Sequence, residues 1–326
     1  MTADAQILYA LRNAGDEHVS GADLAEKLGI SRAAVWARIE DLRKLGYDIH
    51  ASPHGGYTLR FAPDLLNGDD LMAMVGPDSI IGRDIRVFEQ TTSTNDLIDK
   101  LGRDGVKEGV VIFAESQSKG RGRLGRNWVS PKGKGLWFSI LLRPPFPPQA
   151  ATRITVCAAT AVSRAIRNKT NLPAEIKWPN DILIRGKKVC GILTELSAEL
   201  EKIKYIVLGI GLDVNFTSSD FSPELTPIAT SLKIESGQEI ARAELAAEIL
   251  SQFNHDYQQV LSGNFETVAD EWEHHCCTIG RQVEISTGDR RFEGRAESLD
   301  AEGALIVRTQ HGHLERIIGG DVSLKS

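Results

Sequence analysis

The chain has 326 residues, 41% of them hydrophobic and 25% charged, with a formal net charge of −6; this is the composition of an ordinary globular protein with room for two or three domains and a sizeable core. It has no apolar run of about 18 residues, and its opening, MTADAQILYALRNAGDE, lacks the basic start and apolar centre of a secretory signal, which argues against a membrane helix and export. Four cysteines are too few for a disulfide framework, so a reduced cytoplasm is the expected setting.

Residues 1–60 read as three short helices and a hairpin. Ile7, Leu8 and Leu11 give the first helix an apolar stripe. Ser20 is placed as the N-cap of the second, Asp23 and Glu26 suit its positive end, and Gly29 stops it. Ser31 caps the third, whose Val35, Ile39, Leu42 and Leu45 recur at helical spacing. Two helices joined by so short a turn make a helix-turn-helix. Residues 47–60, two strands about a Pro53–Gly56 turn, make a wing. The third helix carries Arg32, Trp36, Arg38, Arg43 and Lys44 off its stripe, and its N-terminal half enters the major groove in such a fold. Ser31, Arg32, Trp36 and Arg38 are therefore the candidate DNA contacts. With seven Lys/Arg against eight Asp/Glu in residues 1–60, one copy binds DNA weakly, and dimerisation doubles the contacts. A helical protein-interaction module is the competing reading.

Pro63 and residues 68–76 form a hinge with a short helix, and Ile85–Phe88 opens a second domain as a strand. Thr92-Ser93-Thr94-Asn95 then leads into a helical run from Asp96 to Leu101. Small polar residues at such a turn cap the helix or bind a polar ligand; on sequence alone capping is preferred. Gly109–Ala114 is a buried strand running into the most unusual stretch of the chain, ESQSKGRGRLGRNWVSPKGKGLWF, from Glu115 to Phe138. Here Gly120, Gly122 and Gly125 alternate with Arg121, Arg123 and Arg126, and Trp128 follows. Glycine lets backbone N–H groups approach an anion, and arginine supplies a fork matched to phosphate or carboxylate oxygens. Between Glu115 and Glu175 there is no Asp or Glu but eleven Lys or Arg. In an acidic chain this points to a small, strongly negative ligand. The alternative is a solvated loop, against which the missing acids and the strand-like flanks both weigh.

Ile154, Cys157, Ala161 and Ala165 share one face of a helix. Lys177 ends a short strand beside the Pro179-Asn180-Asp181 turn, where it is either a ligand contact or a solvated lysine. Strands at 188–195 and 205–214 follow, and Gly209 and Gly211 mark a backbone that something approaches closely. A polar loop near 216–232 leads to helices at about 240–262 and 264–276. His274-His275-Cys276-Cys277 lacks zinc-like spacing and reads as a helix end. From Gly280 the pattern changes to short, evenly spaced strands, 281–285, 291–296, 305–308 and 314–318, as in a small barrel.

Gly120–Arg126 (GRGRLGR), Lys177–Asp181 (KWPND) and Gly191–Glu195 (GILTE), in this order between a winged helix and a small barrel, give a chain that resembles the bifunctional biotin protein ligase and biotin operon repressor family over essentially its full length. The resemblance implies an α+β architecture. It has an N-terminal winged helix-turn-helix DNA-binding domain (1–62), a central mixed-sheet, class II-synthetase-like ligase domain (63–278) and a C-terminal SH3-like small β-barrel (279–326). It implies that biotin and ATP, with Mg²⁺, give biotinyl-5′-adenylate and pyrophosphate. Biotin then passes to a lysine of a biotin carboxyl carrier protein, an acetyl-CoA carboxylase subunit. The adenylate is also expected to act as corepressor, favouring a homodimer on operator DNA, with no membrane involved.

The same resemblance assigns roles. Arg121, Gly122 and Arg123 bind the biotin and adenylate region, and Ser93, Thr94, Asn95 and Gln117 hold the ureido group of biotin. Trp128 forms an apolar wall, and Lys177 contacts the biotin carboxyl and the α-phosphate. Arg123, Arg126, Asn180 and Asp213 face the nucleotide. Apart from the resemblance, transfer needs a neutral acceptor amine, and Asp181 is the candidate to accept its proton or position it. The chemistry suits these residues, because two anions brought to about 4 Å repel by roughly 4 kcal/mol at an effective dielectric near 20, which fixed cations offset. Two departures stand out: Leu124 replaces an arginine of many relatives, and Asp213 replaces an asparagine. The rival readings are a biotin-sensing regulator without useful transfer, a lipoyl ligase, and a ligase whose winged helix does not repress. Gly-Arg-Gly-Arg favours biotin over lipoate.

Overall fold

The structure is a computed structural model that describes residues 1–52, 55–287 and 290–324. Helix α1 (Ala3–Ala14) packs Ile7, Leu8 and Leu11 against Leu24 of α2 (Gly21–Leu28) and Val35, Ile39 and Leu42 of α3 (Arg32–Lys44), forming a small core of their own. The expected caps are in place. Ser20 Oγ accepts from the N–H groups of Ala22 and Asp23, Gly29 closes α2 with a left-handed φ of 65°, and Ser31 Oγ accepts from the Ala34 N–H. Strands β1 (Asp48–Ser52) and β2 (Gly56–Phe61) pair antiparallel as the wing. Pro53 and His54, half of its expected turn, lie outside the described residues.

The short helix expected in the 68–76 stretch is present and capped. Asn67 Oδ1 accepts from the N–H groups of Asp69 and Asp70 at the start of α4 (Gly68–Val75). The buried Asp70 carboxylate takes a two-point contact from Arg12 of α1, at 2.7 and 2.8 Å. That ion pair ties the winged helix to α4.

Seven strands form the central sheet: β3 (Asp84–Phe88), β4 (Val110–Ala114), β5 (Gly135–Leu142), β6 (Ala174–Lys177), β7 (Asp181–Ile184), β8 (Lys187–Glu199) and β9 (Lys202–Asp213). Their order is β3-β4-β5-β9-β8-β7-β6, parallel only between β3 and β4, so the sheet is mixed. Side chains alternate across it with period two. Val111, Phe113, Ile140, Leu142, Ile206 and Leu208 join the main core with α6 (Thr152–Thr170), α8 (Arg242–Leu261) and α9 (Phe265–His274). The intervening Val110, Ile112, Leu141, Tyr205 and Val207 pack with Ile98 of α5 (Thr94–Arg103). Between β9 and α8 a short helix, α7 (Leu232–Ser236), was not anticipated; Ser231 Oγ caps it through the Ile234 N–H.

Helix α9 stops at His274, and the next residues line the outer edge of the sheet. Ile176 N–H donates to His275 O at 2.8 Å and Cys277 N–H to Ile176 O at 2.9 Å. The edge strand β6 is thereby covered. Thr278 Oγ1 then accepts from the Trp178 N–H at 3.1 Å.

The C-terminal strands β10 (Gln282–Thr287), β11 (Arg290–Leu299), β12 (Leu305–Thr309), β13 (Leu314–Ile317) and β14 (Asp321–Leu324) make one antiparallel sheet, ordered β13-β12-β11-β10-β14. The fifth strand, β14, is an addition to the four read from sequence. Val283, Ile285, Ala296, Leu305 and Val307 share the main core. No helix among the described residues is long and apolar enough to cross a membrane.

Candidate functional site

One cavity of about 760 Å³ lies over the middle of the sheet, against β8, β9 and the 115–135 loop. Ser93, Thr94, Asn95, Gln117, Arg121, Gly122, Arg123, Arg126, Trp128, Lys177, Asn180, Asp181 and Asp213 all line it. Residues that lie up to 120 positions apart in sequence thus share one space.

The first half of the lining is a closed hydrogen-bond chain. Ser93 precedes α5 but makes no side-chain cap bond, so the capping preference read from sequence does not hold. Thr94 and Asn95 turn inward instead. Gln117 Oε1 accepts from the Thr94 N–H at 2.9 Å, and Gln117 Nε2 donates to Ser130 Oγ at 3.0 Å. The Thr94 hydroxyl meets Ser139 Oγ at 2.7 Å, and Ser139 Oγ donates to Asn95 Oδ1 at 2.5 Å. Asn95 Nδ2 donates to Glu195 Oε2, and Glu195 also takes Arg121 Nη2 at 3.0 Å, while Arg121 Nη1 reaches Asp96 at 2.6 Å. Buried polar groups satisfied in this way hold one arrangement. Ser139 escaped the sequence reading; its signal is a lone hydroxyl inside the apolar run Leu136–Leu142.

The glycines of β9 find their reason here. A Cβ at Gly209 would overlap Asn95 Oδ1, and one at Gly211 would stand 2.6 Å from the Trp128 indole. What approaches this backbone is a pair of side chains. The buried Trp128 Nε1 has no hydrogen-bond partner among the described residues.

The second half is cationic and differently held. In the glycine–arginine loop Trp128 N–H donates to Gly120 O and Gly122 N–H to Arg126 O, folding a tight tip. Leu124 sits on that tip, 76% exposed, with a left-handed φ of 56° that a leucine adopts only at a cost. Arg123 donates to Asn180 Oδ1 at 3.0 Å and to Gly320 O at 2.9 Å, and burial pushes its guanidinium pKa down. Arg126 pairs with Asp321 at the start of β14. Asp181 is engaged by Lys188 at 2.6 Å, and the same ammonium lies 5.3 Å from the Trp128 ring centroid. Lys188 was missed in the sequence, where it is one of two adjacent lysines at a strand start. Asp213 is 6% exposed, its carboxyl makes no hydrogen bond among the described residues, and burial pushes it well above the usual carboxylate range.

Lys177 differs from the others. It ends β6 opposite Asp181 in the β6–β7 hairpin. Of the cavity's lysine and arginine side chains, its ammonium alone makes no hydrogen bond or ion pair among the described residues.

The candidate DNA contacts lie on α3, away from this cavity. Arg32 is exposed, Trp36 is 56% exposed, and Ser31 is occupied as a cap. Arg38 is held by Asp4 at 2.8 Å.

Residues 87–213 match the biotin/lipoate A/B protein ligase family, residues 4–58 an HTH domain, and residues 278–325 the biotin protein ligase C terminal domain. The chain is 37% identical to the bifunctional ligase/repressor BirA of Bacillus spizizenii, over 98% of this chain and 97% of that protein. It is 31% identical to the bifunctional ligase/repressor BirA of Escherichia coli, over 98% and 96%. Among solved structures it resembles a biotin protein ligase from Aquifex aeolicus in complex with biotin and ATP, with a TM-score of 0.64, 28% identity, and coverage of 74% of this chain and 99% of that one.

Proposed function

Because the chain belongs to the family of bifunctional biotin ligases and repressors, we propose that its cavity joins biotin to the α-phosphate of ATP and then passes biotin to a carrier lysine. The protein is an ATP-dependent biotin–protein ligase with a DNA-binding repressor module. In the first step a biotin carboxylate oxygen attacks the α-phosphorus, the bond to the bridging oxygen breaks, and pyrophosphate leaves. In the second step the lysine amine attacks the acyl carbon, AMP leaves, and the amine loses a proton.

Ser93 and the polar chain of Thr94, Asn95, Gln117 and Ser139 suit the ureido end of biotin, with Trp128 as an apolar wall. Arg121, fixed by Asp96 and Glu195, and Gly122 guide the carboxylate. Arg123, Arg126, Asn180 and Asp213 face the nucleotide. No group of three or more His, Cys, Asp or Glu among the described residues is placed to hold a metal. Mg²⁺ bound to the ATP phosphates would neutralise part of their charge beside Arg123, Arg126 and Lys177. Asp181 takes the amine proton or positions the amine, once Lys188 moves aside.

The observation that carries this reading is the unpartnered Lys177. A lysine left free in a wall of paired cations serves a charge that arrives with the ligand. Its compact ammonium follows charge migrating between carboxylate and phosphate. The test is transfer of labelled biotin to a carrier domain with ATP and Mg²⁺. Label appears with the wild type and is lost with Lys177→Ala; biotin binding without label in either would reduce the protein to a sensing regulator.

The adenylate also links to DNA. The glycine–arginine loop and the 216–232 segment, several of whose residues line the cavity, order around it and favour the dimer, which doubles the phosphate contacts of two weak winged helices. Sedimentation with biotin and ATP shows a shift towards the dimer; no shift removes this part of the reading.

A further inference from the structure

Arg242 is the first residue of α8, yet its side chain leaves the helix and enters the base of the catalytic loop. It donates to both oxygens of Glu115, at 2.8 and 3.2 Å, and to the carbonyl of Gly135 at 3.3 Å. Glu115 directly precedes and Gly135 directly follows the 116–134 segment that holds the glycine–arginine loop. One guanidinium therefore ties the two ends of the segment that carries Arg121, Arg123 and Arg126. Arg242 is 8% exposed and Glu115 6%. A charge pair so deeply placed costs much desolvation, and apolar packing would supply the same stability. A bidentate fork, in contrast, fixes direction as well as distance.

Helix α8 is itself fixed at this point. Ala241 gives it no side-chain cap, and the Ala243 N–H is taken instead by Asp64 at 2.8 Å. Asp64 belongs to the linker that leaves the winged helix. The first turn of α8 is therefore a rigid post with the loop base on one side and the linker on the other.

We propose that Arg242 is a positioning residue for adenylate formation, holding the ends of the 116–134 segment so that its arginines face the reacting anions. The backbone bonds of the loop's tip and the Gln117–Ser130 contact are internal to it, and its other ties to its own domain run mainly to the 91–96 turn, to Glu195 and to Asp220, through partly exposed groups or single backbone bonds. Its other charged contacts include Arg121 with Asp96 and Glu195, Lys132 with Glu89 and Lys134 with Asp220, while Arg123 and Arg126 reach Gly320 and Asp321; of the ion pairs that hold the segment among the described residues, Arg242 with Glu115 is the one buried at both partners. Without the tie the loop keeps its charges and loses their placement, and a misplacement of about 1 Å lowers rate on the order of a hundredfold.

The proposal rests on the ligase reading, so the experiment reads both activity and loop order. Arg242→Lys keeps the charge and loses the fork; Glu115→Gln keeps the shape and loses the charge. Both are compared with wild type in amide hydrogen exchange, thermal unfolding and pyrophosphate release with biotin and ATP. Exchange within 116–134 rises at least tenfold in Arg242→Lys while β4, β5 and α8 exchange as in wild type. The kcat falls at least tenfold, and KM for biotin rises with it, because Gln117, Arg121 and Trp128 belong to the same segment. Where the lysine variant does not fold, Glu115→Gln decides, with the same pattern at smaller amplitude. Unchanged exchange in the loop overturns the proposal, and so does a fall in kcat accompanied by equal loosening of β4, β5 and α8. A wild type that releases no pyrophosphate overturns the ligase reading instead, while the exchange comparison still decides whether Arg242 orders the loop.

Discussion

The two halves of the cavity are built on opposite plans. Around Asn95 nearly every polar group has its partner inside the protein, in a chain from Ser130 to Arg121. Around Lys177 the charges are open or held by groups that a ligand can replace: Gly320 and Asp321 for the loop arginines, Lys188 for Asp181, nothing for Asp213 or Lys177. A neutral, rigid ligand part is best met by a preformed site, because ordering costs are avoided on binding. A part whose charge changes during reaction is best met by groups that gain most in the transition state. On the proposed reading, the first half sets affinity and the second sets rate.

The sharpest way to break that division is a pair of substitutions, one in each half. Lys177→Ala should lower kcat for adenylate formation by about 10²–10³-fold, the scale of losing one electrostatic stabiliser, with biotin affinity changed less than about fivefold. Gly209→Ala should do the reverse. Its methyl displaces Asn95, leaving Ser139 and Glu195 short of a partner, and biotin affinity falls about 10–100-fold on the scale of one buried hydrogen bond lost. Isothermal titration with biotin and single-turnover adenylation separate the two; equal losses in both parameters for both variants would end the distinction.

A smaller effect sharpens it through pH. Burial holds Asp213 above the usual carboxylate range, so at low pH it is neutral and at rising pH it acquires a negative charge beside the triphosphate. KM for ATP should therefore rise with pH in the wild type, by severalfold, and stay level in Asp213→Asn. KM for biotin should follow neither trend. A level wild-type profile would mean that Asp213 does not face the nucleotide.

How much of this was legible depends on the residue. The winged helix could be read in detail because its signals are local: Ser20, Gly29 and Ser31 act within one helical turn. The strands could be read from apolar runs, and the loop from its glycines, arginines and missing acids. Three features were hidden because their meaning is tertiary. Ser93 was read as a cap because its neighbours in sequence suggest one, whereas the partners of Thr94 and Asn95, Ser139 and Glu195, come from distant strands. Lys188 is unremarkable in sequence and acquires a role only when β7 and β8 place it on Asp181. Strand β14 went unread, and its meaning is tertiary: it pairs with β10 and sets Asp321 on Arg126 of the loop.

That contact gives the smallest expected effect. Arg126 and Asp321 are both substantially exposed, and exposed pairs contribute about 0–1 kcal/mol. Asp321→Asn should leave thermal stability unchanged and free Arg126 for the phosphates, lowering KM for ATP by no more than about fivefold, the rate equivalent of that energy. High salt screens the pair in the wild type and should narrow the gap between the two proteins. If Asp321→Asn instead raised KM, Asp321 would be orienting Arg126 towards the nucleotide, and the C-terminal sheet would belong to the preformed half of the site.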